Sequence, residues 1–347
     1  MTLLPDPTSD DRRGWGFVPG LADGAAEAET ERRLIEALTR SGRYQIVERL
    51  APRTHYHLPD GTETRQALFV DVETTGLGDD DPIIQLAAVP FEFGRMCGRI
   101  FAVGACETWL EDPGVPIPAE VTRLTGIADA DVAGQRIDDA RVAELLRDTA
   151  LVIAHNAKFD RPRLERRFPA FAEKHWACSC DDVPWRDEGL ESSKLGWLAY
   201  RLCRTFYEAH RADADCLMAI HLLATTLPSG RPAMAALLDC ARTKTARLWA
   251  VGAPIETKDV LRRRGYRWNG GDDGRPKAWW RDVPAAQLDD ESRWLGDHVY
   301  RGPPRHTVQL LDARLRYSTR EPAARPAPWT PRPRGAAGPG DARPLSS

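Results

Sequence analysis

No stretch of this 347-residue chain approaches the ~20 consecutive apolar residues that a bilayer-spanning helix needs. The stretch Met1 to Arg13 also lacks the basic-then-apolar order of a secretory leader, carrying Asp6, Asp10 and Asp11 instead. A cytoplasmic protein is expected. Neither sign of charge dominates: 48 Lys and Arg against 51 Asp and Glu leave a net charge of -3, and with 42% apolar residues the composition argues against a wholly disordered chain. Cysteine is scarce and odd in number. Seven over the whole length suit buried thiols in a reducing compartment better than a disulfide framework. Cys178 and Cys180, with His175 nearby, suggest a metal, but no second pair at finger spacing accompanies them, and ordinary strand residues are the better reading. No internal repeat is present, and the length exceeds what one ordinary domain requires.

What is present divides the chain into unequal parts. Residues 1–65 form an N-terminal extension with a helix-like stretch from Ala22 to Arg40 and a strand-like one from Tyr44 to Leu50; its function is not legible. From Gln66 to about residue 230, strand-like and helix-like segments alternate, which predicts an α/β layer architecture. Ala67–Val72, Ile83–Pro90, Phe101–Leu110 and Leu151–Ala154 read as strands. Asp138–Thr149, Lys158–Phe168, Ser193–Leu202 and Asp213–Thr226 read as helices. Beyond a Pro-Ser-Gly break at Pro228 the charge balance inverts: residues 241–347 hold 21 basic against 12 acidic residues, residues 1–240 hold 27 against 39. Residues 241–320 are expected to form a basic, Trp-rich module, and 321–347, with seven prolines, a disordered tail.

Three segments carry chemistry. The apolar strand Leu68-Phe69-Val70 runs into Asp71-Val72-Glu73-Thr74-Thr75-Gly76-Leu77, and the two-residue period of a strand puts both carboxylates on one face. The turn that follows frees backbone N–H groups for a polar ligand. After Leu151-Val152-Ile153-Ala154 comes His155-Asn156-Ala157-Lys158-Phe159-Asp160, where Asn156 suits a helix N-cap and Asp160 falls near the helix start, at the carboxyl end of a strand. The third, His210-Arg211-Ala212-Asp213-Ala214-Asp215, precedes the apolar face Met218, Leu222 and Leu223. Each alone is weak, since strand-end acids are often merely solvated and a lone Asp often serves a helix dipole.

Together they resemble the DEDD superfamily of 3′→5′ exonucleases, specifically the histidine-bearing branch (DEDDh) that includes the proofreading epsilon subunit of bacterial replicative polymerase. The resemblance covers about Gln66 to Thr226, with the motifs in the family's order; Ile117–Ile127 also looks like the family's segment before the second motif. It implies a ribonuclease H-like fold, a mixed five-stranded sheet with flanking helices, its first three strands antiparallel neighbours. A small C-terminal α+β module is expected beyond it.

Two carboxylates ~4 Å apart repel by ~4 kcal/mol at an effective dielectric of ~20, so four clustered acids call for cations. All-oxygen ligation favours two Mg²⁺ or Mn²⁺ ions over zinc, a pair suited to phosphodiester hydrolysis. The resemblance implies that Asp71 bridges the two ions, Glu73 and Asp215 complete the nucleophile-side ion, Asp160 holds the other through water, and His210 deprotonates the attacking water. It further implies contacts of Thr75 and Leu77 with the terminal nucleotide and of Asn156 on the product side. His221 is expected in the core and His155 as a shaper of the second motif.

In the basic module, Thr257–Arg264 reads as a helix stopped by Gly265, Tyr266–Trp268 and Lys277–Val283 as a hairpin, and Asp290–Leu295 as a second helix. Arg262, Arg263, Arg264, Arg267 and Lys277, interleaved with aromatics that include Trp279, suit a strand-tracking nucleic-acid surface; the competing reading makes the tryptophans a small core. Gln309-Leu310-Leu311 belongs more readily to a strand from Thr307 to Leu315 than to a sliding-clamp peptide. The expected function is a metal-dependent 3′→5′ exonuclease acting on single-stranded or frayed DNA 3′ ends, with a polymerase or repair partner not legible. The rivals are a 3′→5′ exoribonuclease and a non-catalytic nucleic-acid-binding subunit.

Overall fold

The computed structural model describes residues 24–320 except 79, 273 and 304, together with 322, 325 and 326. Most of the expected Pro-rich tail therefore lies outside the described residues. The chain separates into two compact units, Met1–Glu48 and Arg49–Ser347. In the first, helix α1 (Gly24–Arg40) is long and largely exposed. Of the strand expected over Tyr44–Leu50, only Glu48–Arg49 is extended in that way.

The second unit is built on a mixed sheet of β1 (Thr64–Thr74), β2 (Ile83–Gly94), β3 (Ile100–Val103) and β4 (Glu107–Leu110), then, after helices α2 (Ala119–Thr125) and α3 (Asp139–Arg147), β5 (Thr149–Ala154), helix α4 (Ala157–Arg167) and β6 (Trp176–Cys178). Its order is β3-β2-β1-β5-β6, with β4 also pairing β2. The pairs β1–β2, β2–β3 and β2–β4 are antiparallel, and β1–β5 and β5–β6 are parallel. The ribonuclease H-like arrangement is thus present with six strands rather than five, because the expected strand 101–110 is cut in two. The Pro90 carbonyl of β2 accepts from Gly104 N–H at 2.8 Å. A strand residue's N–H faces the same side as its carbonyl, so Pro90 leaves that edge one donor short where the pairing strand breaks.

Alternation along β1 assigns its two faces. Ala67 and Phe69 pack in one core with helices α5 (Ala212–Ala224) and α6 (Ala233–Arg242). Leu68, Val70 and Val72 pack in the other with Leu164 of α4 and Val142 and Leu146 of α3. A strand covered on both sides is apolar at successive positions, which is why the lead-in to Asp71 shows no alternation. The helix expected over Ser193–Leu202 is regular only over Leu195–Leu198 and then widens into a π-type turn, Ala199–Cys203.

The basic module follows: β7 (Thr245–Ala250), α7 (Lys258–Arg264), β8 (Arg267–Trp268), β9 (Trp279–Pro284), α8 (Leu288–Leu295), β10 (Thr307–Leu311) and β11 (Arg325–Pro326). The strands form an antiparallel sheet in the order β8-β9-β7-β10-β11. Ala246, Leu248, Leu261, Tyr266, Val283, Leu295 and Val308 make its own small core. Gln309-Leu310-Leu311 lies within β10, with the Gln309 Oε1 accepting from the buried Trp249 indole at 2.7 Å.

Buried arginines tie this module to α4. Arg161, fully buried, pairs with Glu165 at 2.6 Å and donates to the carbonyls of Ala313, Arg314 and Arg316. Arg316 in turn reaches Asp182 at 3.3 Å and donates to the Cys240 and Thr243 carbonyls. Such groups are tolerated inside only because nearly every donor is matched.

Candidate active site

The period of two along β1 places Asp71 and Glu73 on the face shared with Ala67 and Phe69, the one that α5 covers. Asp215, in the first turns of α5, arrives from that side. Ligand oxygens of Asp71, Glu73 and Asp215 all lie within 4.8 Å of one another, the one such group of three or more His, Cys, Asp or Glu among the described residues. The register of β1 against β2 shifts between Glu73 and Thr74, a bulge of the kind that re-aims a side chain at a strand end. Opposite Glu73 stands Gln85, whose Oε1 accepts the Ala212 N–H at 3.3 Å and so ties the start of α5 to β2.

Asp160 comes from α4, against the opposite face, and is not in that group of three. Its Oδ1 accepts the Val72 N–H at 3.2 Å. The β1–β5 pairing runs only from Gln66 to Phe69, so the strands have parted at Val72 and its N–H needs another acceptor. A second buried arginine, Arg163, donates to the carbonyls of Leu77 and Gly78 at 3.1 and 2.6 Å, holding the turn after Glu73 against α4. Helix α4 therefore carries Asp160 between two clamps, Arg163 on that turn and Arg161 on the C-terminal module.

The carboxylates are electrostatically frustrated. Burial, then the charges of Asp160, Asp215 and Glu73, pushes the Asp71 carboxyl well above the usual carboxylate range. Burial and the charge of Asp215 raise Glu73 to about 7. Burial raises Asp160 to about 8, against the relief of its Val72 hydrogen bond. Asp215 is raised by burial too, although Tyr207 Oη donates to its Oδ1 and the His210 N–H to its Oδ2, both at 2.9 Å. Converging buried acids of this kind are what a divalent cation relieves, and oxygen-only donors fit a hard ion such as Mg²⁺ or Mn²⁺.

His210 is exposed at the edge of this pocket, with its backbone in the left-handed region at φ 65°. That conformation costs a non-glycine residue ~1–2 kcal/mol, and the bond from its N–H to Asp215 holds it there. Its imidazole has no hydrogen-bond partner among the described residues. His155 differs. Its ring lies between Ser179 Oγ and the Ser193 carbonyl, each at 2.9 Å, and burial lowers its pKa to about 4. A neutral ring donating from Nε2 satisfies both partners, so His155 ties the second motif to the 193 loop. His221, on α5 itself, is half-buried rather than in the core as expected, and its Nδ1 lies 3.0 Å from Tyr56 Oη.

Thr75 is buried in the turn, its N–H on the Pro82 carbonyl at 3.0 Å, whereas Leu77 is 87% exposed beside it. Asn156 holds the N-cap position of α4 at φ 80°, but its side chain makes no capping bond there; left-handed backbone, which Asn tolerates, is its contribution. Cys178 accepts the Ala157 N–H through sulfur at 3.3 Å and Cys180 sits 3.2 Å from Ser193 Oγ, so both thiols have structural partners.

The module residues scatter. Arg264 pairs with buried Glu291 at 3.0 Å, Arg262 lies 3.7 Å from Asp259, and Arg263 and Lys277 are exposed. Trp279 packs on the module core, while Arg267 lies over the ring of Trp280, the residue after it. Tyr207, Gln85, Arg161 and Arg163 were not singled out by sequence. The one available signal was the pair of arginines that follow Asp160 in the same helix.

Residues 68–223 match the family model RNase_T, described as Exonuclease. Among curated proteins, the chain is 29% identical over 177 residues to an uncharacterized exonuclease of Escherichia phage 186, covering 45% of this chain and 85% of that protein. It is 39% identical over 106 residues to a DNA polymerase III subunit epsilon-like protein of Rhodobacter capsulatus, covering 28% of this chain and 14% of that one. A PolC-type DNA polymerase III of Listeria welshimeri is 42% identical over 94 residues, 26% of this chain and 6% of the polymerase. The two polymerase-related proteins are thus matched over a small part of their length. Among solved structures, E. coli Exonuclease I in complex with a 5cy-dT13 oligonucleotide aligns at TM-score 0.43 and 16% identity, over 64% of each chain. Exonuclease X in complex with 5′ overhanging duplex DNA aligns at 0.34 and 21%, over 50% of this chain and 90% of that one. Over residues 68–223, a little under half of its length, the chain is thus similar to the exonuclease family.

Proposed function

We propose that this chain is a 3′→5′ exonuclease that hydrolyses the terminal phosphodiester of a DNA 3′ end and releases nucleoside 5′-monophosphates with the help of two Mg²⁺ or Mn²⁺ ions. The observation that carries the reading is the meeting of oxygens of the half-buried Asp71, Glu73 and Asp215 within 4.8 Å. Asp71, Glu73 and Asp215, with Asp160, would hold the ions. When bound, the ions would polarise the phosphoryl group and offset charge on the attacking and leaving oxygens.

The protein's own groups do the rest. His210, exposed at the rim, takes the proton of the attacking water, a task for which imidazole's affinity near neutral pH is suited. The water oxygen bonds to phosphorus, the bond from phosphorus to the 3′ oxygen breaks, and the leaving hydroxyl of the shortened strand takes up a proton. Tyr207 and the His210 N–H fix both oxygens of Asp215. Exposed Leu77 offers an apolar contact to the terminal base, and Asn156 borders the product side. The phage relative supports an exonuclease, and the DNA polymerase III-related relatives support a DNA substrate and a replication or repair setting.

Single-stranded, duplex and mismatched DNA, labelled at the 5′ end and incubated with Mg²⁺, Mn²⁺ or EDTA, tests this. A ladder of progressively shorter labelled fragments with mononucleotide product, lost in EDTA, is expected. Immediate release of a labelled mononucleotide would reverse the polarity. Faster digestion of matched RNA would reassign the substrate, and binding without cleavage in Mn²⁺ would make the chain a non-catalytic subunit.

A further inference from the structure

Behind α4 lies a cleft of about 560 Å³, walled on one side by Lys158 and Pro162 of that helix and on the other by Arg267, Arg275 and Trp280 of the basic module, with Arg320 at its end. Lys158 and Pro162 each stand two residues from Asp160. At ~100° per residue they point away from the acid, so one helix presents Asp160 to the catalytic pocket and Lys158 and Pro162 to the cleft. Lys158 lies in the first turn of α4, so the cleft reaches the end of the helix on which Asp160 stands.

The lining holds six Lys and Arg against three Asp, and Arg320 pairs outside it with Glu165 at 3.3 Å. Asp182 accepts from Arg316 at 3.3 Å and from Tyr317 Oη at 2.7 Å, and Asp282 is bound by Arg247 at 2.8 Å. Asp181 lies only loosely near Lys158, at 3.8 Å. Arg267 makes no ion pair among the described residues and lies over Trp280 instead, 5.6 Å from its centroid. Alternation along β9 sends Trp279 to the module core and Trp280 to the cleft. Arg247 also lies over the half-buried Trp280 indole, 4.7 Å from its centroid, so a base stacks there by displacing one of the two guanidinium groups towards its phosphate, and the volume accommodates a stretch of one or two nucleotides.

We infer that the single strand whose 3′ end enters the carboxylate pocket continues over the first turn of α4 into this cleft, its phosphates meeting Lys158, Arg267 and Arg275 and a base stacking on Trp280. This rests on the nuclease reading, and places the strand in the cleft rather than across the exposed arginines of α7. The cleft spans the joint that Arg161 and Arg316 lock, so a track built from both walls keeps a fixed geometry.

Binding is measured on the full chain in EDTA, by fluorescence anisotropy with a long oligothymidylate, about twenty nucleotides, and with a trinucleotide too short to reach the cleft. Hydrolysis of the nitrophenyl ester of thymidine 5′-monophosphate by wild type checks the carboxylate pocket separately. In wild type the long strand binds more tightly. In an Arg267→Glu, Arg275→Glu variant the ratio of the two affinities falls by about tenfold or more, and the salt dependence of long-strand binding flattens by ~0.7 for each phosphate the variant no longer neutralises. Lys158→Glu, on the opposite wall, gives the same change in ratio and serves where the first variant melts abnormally. An unchanged ratio in folded variants of either wall, or a wild type that prefers neither length, overturns the inference. A wild type inert on the ester overturns the nuclease reading on which it stands.

Discussion

Glu73 offers a direct test of the frustration described for the carboxylate pocket. Its pKa is raised from an ordinary 4.5 to about 7 by burial and by Asp215. The unfolded chain therefore ionises Glu73 at lower pH than the folded chain does. Below the ordinary value both states hold the proton and nothing is lost. As pH rises from 4.5 through 7 the metal-free protein loses stability, and above 7 the loss levels at about 3 kcal/mol, since a tenfold change in acidity corresponds to ~1.4 kcal/mol. A Glu73→Gln variant has no charge to bury. In EDTA at pH 8 it should melt above wild type by roughly 5 °C, given the entropy of unfolding a chain of this size. The difference should vanish near pH 4.5. Millimolar Mg²⁺ or Mn²⁺ should reverse the order, because a ligand at ~100 times its dissociation constant stabilises wild type by ~2.7 kcal/mol and the variant by much less. Calorimetry at pH 4.5 and 8, with and without metal, reads all four conditions. Equal melting temperatures in EDTA at pH 8 would refute the reasoning, whatever happens to activity.

Further consequences follow from neighbouring groups. His210→Ala should lower kcat by ~10²–10⁴ while keeping the metal-induced rise in melting temperature; retained wild-type speed removes His210 as the base. His155 has a folded pKa of about 4, below its ordinary 6.5. Its contribution is present above 6.5 and should be lost as pH falls towards 4, by ~3 kcal/mol, and His155→Gln should flatten that acid limb in urea titrations. Arg161→Met should cost ~3 kcal/mol in urea unfolding, because Glu165 and three carbonyls lose a buried cation. Since Arg161 adjoins Asp160, the same variant should weaken metal binding, read as a smaller metal-induced rise in melting temperature.

The strand-end pair Asp71 and Glu73 was legible because alternation is a property of any extended backbone, and the unbroken apolar lead-in signalled a strand covered on both faces. The helices around Asp160 and Asp215 were legible from periodicity. The split at Gly104 was not, since it depends on which edge of β2 Pro90 turns towards its neighbour. Neither was the failure of the Asn156 side chain to cap α4, where the backbone turns left-handed. In the module, composition showed tryptophans and arginines but not which ring faced which side. One residue of register separates Trp279 in the core from Trp280 in the cleft.

Local sequence thus determined the residue types, their order and their spacing along each element, because these follow from backbone periods of 2 and 3.6. Tertiary structure decided which faces met. It set Asp215 on the side of β1 that carries Asp71 and Glu73, sent Asp160 round the other side to the Val72 N–H, and bound α4 to the C-terminal module through Arg161. Those choices depend on contacts between residues as far apart as Arg161 and Arg316, and no local period encodes them.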